Sequence, residues 1–393
     1  MRILYVTNGF PYPLTSGTLR HFHFIRELGG RHDIVLMSLV GATHRPADRE
    51  ALAAHVRRIE TFASSARRRA FGPRVRSRLE RFAGLGDPAA RALRRAATRV
   101  IAEERPDVVL FSGKRAEAAV SAFDRLPMVV DLCDATSLRL RGQVMTAAWP
   151  RRPQVALAWW TARRAERSLI GRATHLLFAS RRDLEALVRS PDLDRCTILP
   201  NGVDVSYWQR SGLRLGRDVV FTGRMDYAPN ADAAMYLVRA IMPLVRTSLP
   251  DASVSIVGAD PPPAVRGLAS RSWVTVTGFV DDMRPHLEGA AVFACPLRFG
   301  AGIQNKVLEA MAMEVPVVTT SIAADGLRVD GPSPPPLVVA DDPAGFARHL
   351  VRALEHAASG GPPDVAARAF VARNFDWATN AARLEAILAA ARR

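Results

Sequence analysis

The feature that most constrains the fold is a regular alternation of β-branched runs with longer helical patterns along most of the 393 residues. Apolar runs at residues 2–8, 33–39, 107–111 and 128–133 predict buried parallel strands, because parallel strands need crossover helices between them. The alternation pauses at the turn-forming residues 200–204 and restarts near residue 218. We therefore predict two α/β domains of about 200 residues each.

Residues 298–320, RFGAGIQNKVLEAMAMEVPVVTT, carry the clearest chemical pattern. Gly300 and Gly302 precede a segment whose apolar residues recur at helical spacing. A glycine-rich turn that enters a helix offers free N–H groups and the positive end of the helix dipole to a phosphate. Lys306 and Glu309 lie three residues apart on one helix face. They could hold a diphosphate and a ribose, or form only a solvated ion pair.

This stretch resembles the donor-binding signature of retaining GT-B glycosyltransferases, in particular glycosyltransferase family 4. The form GIQNKVLEAMA is similar to that of a bacterial sugar-transferase subgroup. The family carries two glutamates eight positions apart. Glu309 matches the second, whereas Ala301 occupies the place of the first, which is the family's usual contact to the donor sugar.

The resemblance implies a GT-B fold of class α/β, with two Rossmann-like domains facing across a cleft. It implies an acceptor domain at residues 1–198, a nucleotide-sugar donor domain at 199–376, and a last helix at 377–393 that crosses back onto the first domain. It also implies glycosyl transfer with retention of configuration and without a divalent metal or other cofactor.

The resemblance places the donor mainly on the second domain. Arg224 follows a strand–glycine pair and matches the family's phosphate-binding arginine. The lysine usual five residues later is replaced by Pro229, so we predict that Lys306 supplies this charge. Glu309 would accept hydrogen bonds from the ribose, and Asn230 is expected to cap the next helix. The remaining donor contacts are predicted at the base-reading loop and the helix start: Gly278, Phe279, Val280, Gly302, Ile303, Gln304 and Asn305.

In the first domain, Ser16 and Gly17 lie at a helix start that resembles the family's first loop, which faces the donor diphosphate. Arg20 and His21 are expected to point toward the same cleft. Asp134 follows the strand at 128–133, where the family often has a histidine. It either touches substrate, as a third catalytic residue beside Arg224 and Lys306, or caps the next helix.

The net charge of +16 comes almost entirely from arginine, since Lys114 and Lys306 are the only lysines. Residues 57–99 hold thirteen arginines and three acids, and we read them as helical. This segment is either a solvated face or a surface for an anionic membrane. Trp159 and Trp160, in a predicted helix at 149–172, fit a lipid interface or a core.

Several classes of protein are disfavoured. No apolar run is long enough for a transmembrane helix, and the MRILYVTN start lacks a signal-peptide pattern, which favours the cytoplasm. The three cysteines are isolated, so neither a disulfide framework nor a metal cluster is expected. No G-x-G-x-x-G follows the first strand, which argues against a dinucleotide-dependent oxidoreductase.

We therefore predict a glycosyltransferase whose partners are a nucleotide-sugar donor and a glycan, lipid-linked or small-molecule acceptor. One alternative is a GT-B sugar-nucleotide epimerase, for which we can place no acid–base carboxylates. Another is a nucleic-acid-binding protein, suggested by the basic charge, but the sequence lacks a recognised binding module. The sugar, the base and the acceptor remain open.

Overall fold

A computed structural model describes residues 1–12, 14, 18–41, 45–63, 87–147, 149–212, 215–300, 303–328 and 334–392. The chain forms two compact units, Met1–Asn201 with Trp377–Arg393, and Gly202–Asp376. The units therefore divide between residues 201 and 202. The boundary predicted from the sequence, between residues 198 and 199, lies three residues earlier.

The first unit contains a seven-stranded, fully parallel sheet in the order β3-β2-β1-β4-β5-β6-β7. Its strands are β1 (Arg2–Thr7), β2 (Asp33–Val40), β3 (Arg58–Ala63), β4 (Val108–Ser112), β5 (Met128–Cys133), β6 (His175–Phe178) and β7 (Cys196–Ile198). The order reverses between β1 and β4, as in a doubly wound Rossmann-like sheet.

Helices cover both faces of this sheet. They are α1 (Leu19–Gly29), α2 (Glu50–Ala53), α3 (Pro88–Glu104), α4 (Thr136–Thr146), α5 (Arg152–Arg172) and α6 (Arg181–Leu187), with 3₁₀ segments at Pro46–Arg49, Lys114–Phe123 and Ser190–Arg195. One core cluster includes Phe111, Phe123 and Phe178. The cluster on the other face includes Tyr5 and Phe24. Successive strand residues point to opposite faces, so the continuous apolar strands feed both cores.

The second unit repeats this design with a six-stranded parallel sheet in the order β10-β9-β8-β11-β12-β13. Its strands are β8 (Asp218–Thr222), β9 (Val254–Val257), β10 (Val274–Val276), β11 (Ala290–Cys295), β12 (Val317–Thr319) and β13 (Val338–Val339). Its helices are α7 (Ala228–Tyr236), α8 (Met242–Ser248), α9 (Pro263–Arg266), α10 (Arg284–Glu288), α11 (Asn305–Ala312), α12 (Ser321–Ala324), α13 (Pro343–Ala358) and α14 (Val365–Asn374). A π-helical turn at Leu237–Ile241 joins α7 to α8, and 3₁₀ turns lie at Gly267–Ser270 and Asp325–Leu327.

The last helix, α15 (Trp377–Ala391), returns to the first unit. Trp377, Leu384 and Leu388 are buried in the same core cluster as Phe24 and Leu28 of α1. The predicted return of the C-terminal helix to the first domain is thus confirmed. Within the described ranges, no helix is both long and apolar enough to cross a membrane.

The prediction of a helix over residues 57–99 is wrong at its start. Arg58–Ala63 is the edge strand β3, whose alternating sequence RIETFA suits a half-buried strand better than a helix. Arg58 pairs with Glu60 of the same strand and with Glu103 and Glu104 of α3. Part of the basic charge of residues 57–99 is therefore neutralised within the fold. Residues 64–86 lie outside the described part of the chain.

Candidate functional site

The strand order of the second unit reverses between β8 and β11, which are hydrogen-bonded neighbours. In open α/β sheets, ligands bind outside the carboxyl ends of the strands at such a switch point. Two segments leave the sheet there. One runs from Gly223 into α7, and the other runs from Pro296 into α11.

Two glycines allow the first segment to approach its neighbours. Gly223 has a φ of +150°, and a Cβ at this position would lie 2.6 Å from Asn230 Nδ2. Gly258, which follows β9, has a φ of +141°, and a Cβ there would lie 2.0 Å from the Gly223 carbonyl oxygen. Both positions therefore require glycine, on conformation and on space.

Arg224 lies next to Gly223 with its side chain about half exposed, at 49%. Its guanidinium donates to Asp226, with an Nη2–Oδ2 distance of 2.6 Å, and lies 3.5 Å from Asp260. Exposed ion pairs contribute little to stability, because water competes for both partners. Arg224 can therefore exchange these carboxylates for a phosphate at low cost.

Lys306, on the first turn of α11, extends toward Asn230 rather than toward Glu309. Its Nζ donates to Asn230 Oδ1 at 2.9 Å and to Gln304 Oε1 at 3.0 Å, and lies 5.7 Å from the centroid of the Phe221 ring. In the described part of the chain no carboxylate forms a salt bridge with it. Burial lowers the pKa of the ammonium, opposed by Cys295 and Glu309. The ion pair between Lys306 and Glu309 is thus not formed. The ammonium of Lys306 is instead hydrogen-bonded by two neutral side-chain amides.

Asn230 links the Lys306 ammonium to the backbone of Arg224. Its Nδ2 donates to the Arg224 carbonyl oxygen at 2.9 Å, while its Oδ1 accepts from Lys306. The residue is buried, with 5% exposure. The prediction that Asn230 caps its helix is wrong, because α7 begins at Ala228 with Tyr227 as N-cap. With Asn230 as the cap, the helix would begin at residue 231. Pro229 has a φ fixed near the helical value and suits the first turn of a helix that begins earlier.

Glu309, one turn after Lys306, is half-buried. Burial raises the pKa of its carboxyl to about 7, and the Lys306 charge only partly offsets this effect. Among the described residues, no side chain donates a hydrogen bond to it. A half-buried carboxylate without a donor is suited to accept hydrogen bonds from hydroxyl groups of a ligand.

The helix start before Lys306 is also well defined. Gln304 is the N-cap residue of α11, is 8% exposed, and its carbonyl accepts from Val307 N at 2.8 Å. Asn305 is the first helical residue, and Ile303 is buried just before it. Gly302, Ser16 and Gly17 lie outside the described residues, so their predicted phosphate contacts stay predictions.

The predicted base-reading loop follows β10. Gly278 adopts a φ of +72°, and its carbonyl accepts a hydrogen bond from Thr277 Oγ1 at 2.9 Å. Phe279 is 74% exposed, while Val280 is half-buried. An exposed aromatic ring on this loop fits a base, although contact with a nucleotide stays a prediction.

In the first unit, Asp134 follows β5 and belongs to a buried charge cluster. Lys114, which follows β4, donates to Asp134 Oδ1 at 2.9 Å and to Thr136 Oγ1 at 3.0 Å. Burial is the largest influence and acts to raise the pKa of Asp134, but the charge and hydrogen bond of Lys114, together with Arg139 and Thr136, outweigh it and the pKa is lowered. The N-cap of α4 is Ala135, so the interpretation of Asp134 as the N-cap is wrong. The carboxylate is 36% exposed and can still meet a ligand.

Two further acids support this cluster, and no sequence pattern singles them out. Glu166 of α5 is fully buried, accepts from Ser137 N at 3.1 Å, and lies 3.6 Å from Lys114 Nζ. Asp183 is fully buried and accepts from Ala135 N at 2.9 Å. Lys114 itself carried a usable signal, because it is one of two lysines in an arginine-rich chain.

Arg20 and His21 do not point into an open site, contrary to the prediction. Arg20 is 3% exposed and forms a bidentate pair with Asp131, at 2.8 and 3.2 Å, while it also donates to the Leu199 carbonyl at 2.8 Å. His21 Nδ1 lies 2.8 Å from the Tyr5 hydroxyl, and burial lowers the pKa of the imidazole to about 4. Both side chains stabilise the junction of α1 with β1, β5 and residue 199.

Two doubly wound parallel sheets, with a last helix that returns to the first unit, define the GT-B fold. The fold class predicted from the sequence is thus confirmed. Among the described residues, no three His, Cys, Asp or Glu side chains are grouped so that they could hold a metal ion.

Comparisons with known proteins agree with this class. The family described as glycosyl transferases group 1 matches residues 216–356, within the second unit. Phosphatidyl-myo-inositol mannosyltransferase of Mycolicibacterium smegmatis is 29% identical over 231 residues, which cover 55% of this chain and 56% of that protein. The chain spans about half the length of the curated relatives it matches.

Solved structures match nearly the whole chain. Anabaena HepE, solved in complex with UDP and glucose, has a TM-score of 0.66 at 16% identity and covers 99% of this chain and 100% of its own. Sucrose-phosphate synthase from Thermosynechococcus elongatus has a TM-score of 0.70 at 14% identity and covers 98% and 97%. The GT-B fold and the glycosyl transferases group 1 domain together support a glycosyltransferase.

Proposed function

We propose that the protein transfers a sugar from a nucleoside-diphosphate sugar to an acceptor hydroxyl, with retention of configuration and without a divalent metal. The acceptor class is a glycan, a lipid-linked saccharide or a small molecule. Retention and metal independence rest on the resemblance of residues 298–320 to the family 4 signature.

The observation that carries this proposal is two cationic residues at the switch point, where one amide bonds the ammonium of Lys306 and the backbone of Arg224. Asn230 holds the side chain of Lys306 at the start of α11 and the backbone of Arg224 at the carboxyl end of β8, while the Arg224 guanidinium pairs with the exposed Asp226. A leaving diphosphate gains negative charge as the glycosidic bond breaks, so preorganised cations stabilise the transition state more than the ground state. Two cations that are not committed to buried carboxylates suit this task.

Glu309 is assigned to the ribose. Its carboxylate lies one helical turn beyond Lys306 and has no hydrogen-bond donor among the described side chains. Ribose hydroxyls would supply two donors, each of which favours the ionised carboxylate. In the retaining GT-B mechanism, the leaving phosphate itself accepts the acceptor proton, so the proposal assigns no separate general base. Asp134 is assigned to substrate hydroxyls in the first unit.

A nucleotide panel tests the donor assignment first. We expect one of UDP, GDP, ADP or dTDP to raise the melting temperature, because a ligand that binds the native state stabilises it by mass action. UDP comes first, since HepE binds UDP and glucose. The shift should be smaller in Arg224→Gln and unchanged in Arg352→Gln, whose arginine is exposed on α13. Equal shifts in both variants would remove Arg224 from the site.

Turnover then tests the reaction. We expect nucleotide release from the matching sugar nucleotide to increase when acceptor is added, and the product to keep the donor's anomeric configuration by NMR. Acceptor-independent conversion of the donor to an epimer, without transfer, would instead identify the epimerase alternative. A product of opposite configuration would refute retention while leaving glycosyl transfer in place.

The remaining predictions from the sequence concern location and partners. A cytoplasmic location stays a prediction that fractionation of the producing cell would test. Nucleic acid is not an expected partner, and binding to DNA that weakens steeply with salt would contradict this expectation.

A further inference from the structure

An exposed apolar cluster lies where α4 leads into α5. We call it the hairpin tip and define it as Met145, Trp149, Leu157 and Trp160. Their exposed fractions are 76%, 81%, 36% and 44%, respectively. Leu157 and Trp160 are three residues apart on α5 and so share one face of that helix. Four large apolar side chains exposed within 16 residues of the chain are a candidate interaction site.

The chain segment that carries the hairpin tip has charge of one sign. Residues 135–165 contain six arginines and no acidic residue. Five of these arginines are exposed: Arg141, Arg151, Arg152, Arg163 and Arg164. Arg163 also lies 5.6 Å from the centroid of the Trp159 ring. This charge favours a negatively charged partner.

The kind of apolar residue narrows the partner further. Tryptophan combines a large apolar ring with one N–H donor and favours the headgroup level of a bilayer. Arginine can bury its methylene stem beside such a ring while its guanidinium contacts lipid phosphate. We propose that the hairpin tip docks the protein on an anionic phospholipid surface, with the tryptophans at headgroup depth and the arginines on phosphates.

The second unit provides matched controls. Its exposed apolar residues Val365 (66%) and Leu244 (43%) lie on different helices, α14 and α8. Arg271 and Arg352 are exposed arginines of the same unit. Substitutions at these positions remove similar side chains without touching the hairpin tip.

Cosedimentation of the full chain with vesicles tests the proposal, without any sugar nucleotide. We expect binding to phosphatidylcholine vesicles that contain phosphatidylglycerol, and little binding to pure phosphatidylcholine. Because the measurement does not involve transfer, its failure would leave the proposed glycosyltransferase activity intact. High salt should weaken binding, since it screens exposed charges.

Two double variants separate the contributions. R151Q/R152Q should weaken partitioning by about 30-fold, at about fivefold per arginine near the surface. M145S/W149S should weaken it as well and should reduce fluorescence quenching by brominated acyl chains, because Trp149 is lost while Trp160 remains. V365S/L244S and R271Q/R352Q should bind as the wild type does. Circular dichroism of each variant checks that the fold is kept.

Three outcomes would overturn the proposal. Wild-type protein that fails to bind anionic vesicles at low salt has no such surface. Binding that both hairpin-tip variants retain must use another part of the molecule. If the wild type is a dimer by light scattering and does not bind vesicles, and M145S/W149S is a monomer, then a second copy of the chain covers the hairpin tip.

Discussion

The carboxyl group of Glu309 gives the most direct test of the donor site, through its response to pH. Burial raises its pKa from 4.5 to about 7 in the folded protein. A folded state that holds the proton more tightly is most stable below the unfolded pKa and loses stability as pH rises through the folded value. A shift of about 2.5 units corresponds to roughly 3 kcal/mol, lost between about pH 4.5 and pH 7.

Substitution by glutamine removes this titration while it keeps the shape of the side chain. Relative to wild type, Glu309→Gln should therefore gain roughly 3 kcal/mol of folding stability between about pH 4 and pH 8. Glu355→Gln, at an exposed position of α13, should show no such pH-dependent gain. Urea unfolding at the two pH values measures the difference.

Donor binding should reverse the shift, because ribose hydroxyls donate to the carboxylate and favour its charged form. If the bound pKa returns to about 4.5, affinity should weaken about tenfold from pH 8 to pH 6, and binding near pH 6.5 should release roughly 0.7 of a proton. Calorimetry in two buffers of different ionisation enthalpy measures this release. An intact sugar nucleotide is the right ligand, since its diphosphate diester does not titrate in this range.

The ribose assignment fails if Glu309→Gln binds the sugar nucleotide with wild-type affinity, or if its proton release is the same as that of wild type. The stability argument fails separately if the pH dependence of unfolding is identical in Glu309→Gln and wild type. The binding result and the unfolding result are independent. A carboxyl that changes the pH dependence of unfolding but not the binding of the sugar nucleotide would be buried without contacting the ligand.

Four further results are expected. Lys306→Ala should lower kcat by roughly 10²–10³ with saturating substrates. Lys306→Arg should restore only part of the lost turnover, because its planar guanidinium differs from a compact ammonium. An unchanged kcat in Lys306→Ala would show that the role of Lys306 is only structural. Asn230→Ala should lower turnover by roughly 10- to 100-fold, the scale of a lost hydrogen bond to a charged group, while thermal unfolding shows that the fold persists. Asp131→Asn should cost about 3–5 kcal/mol of stability, because it leaves Arg20 buried without its carboxylate; an unchanged unfolding free energy would contradict this. Turnover should survive EDTA, and loss of activity that magnesium or manganese restores would show that a metal is needed.

The sequence predicted the order of strands and helices well, because buried parallel strands are continuous apolar runs. Met128–Cys133 was predicted with the bounds that the structure has, and the helix before Pro316 was placed within two residues of its N-terminus. The prediction failed at residues 58–63, where arginine content was given more weight than the alternation typical of an edge strand.

The contacts of side chains were harder to predict, since they depend on residues far apart in the chain. Spacing on one helix face paired Lys306 with Glu309, yet its partner Asn230 is 76 residues away. Arg20 was expected near the ligand because of its place in the first turn of α1. Its partner Asp131 lies 111 residues away and draws it into the core. A long side chain can reach several hydrogen-bond partners, and which partner it bonds depends on the tertiary structure.

The scarcity of lysine makes the two proposed substrate regions chemically addressable without mutation. Apart from the chain's amino terminus, the only primary amines are Lys114, beside Asp134, and Lys306, beside Asn230. Their surroundings push the amine pKa values in opposite directions, up for Lys114 and down for Lys306. Of the two lysines, an amine-directed reagent should therefore modify Lys306 first, since only the unprotonated amine is nucleophilic. A peptide map with and without nucleotide would then report occupancy of the donor site as protection of a single residue.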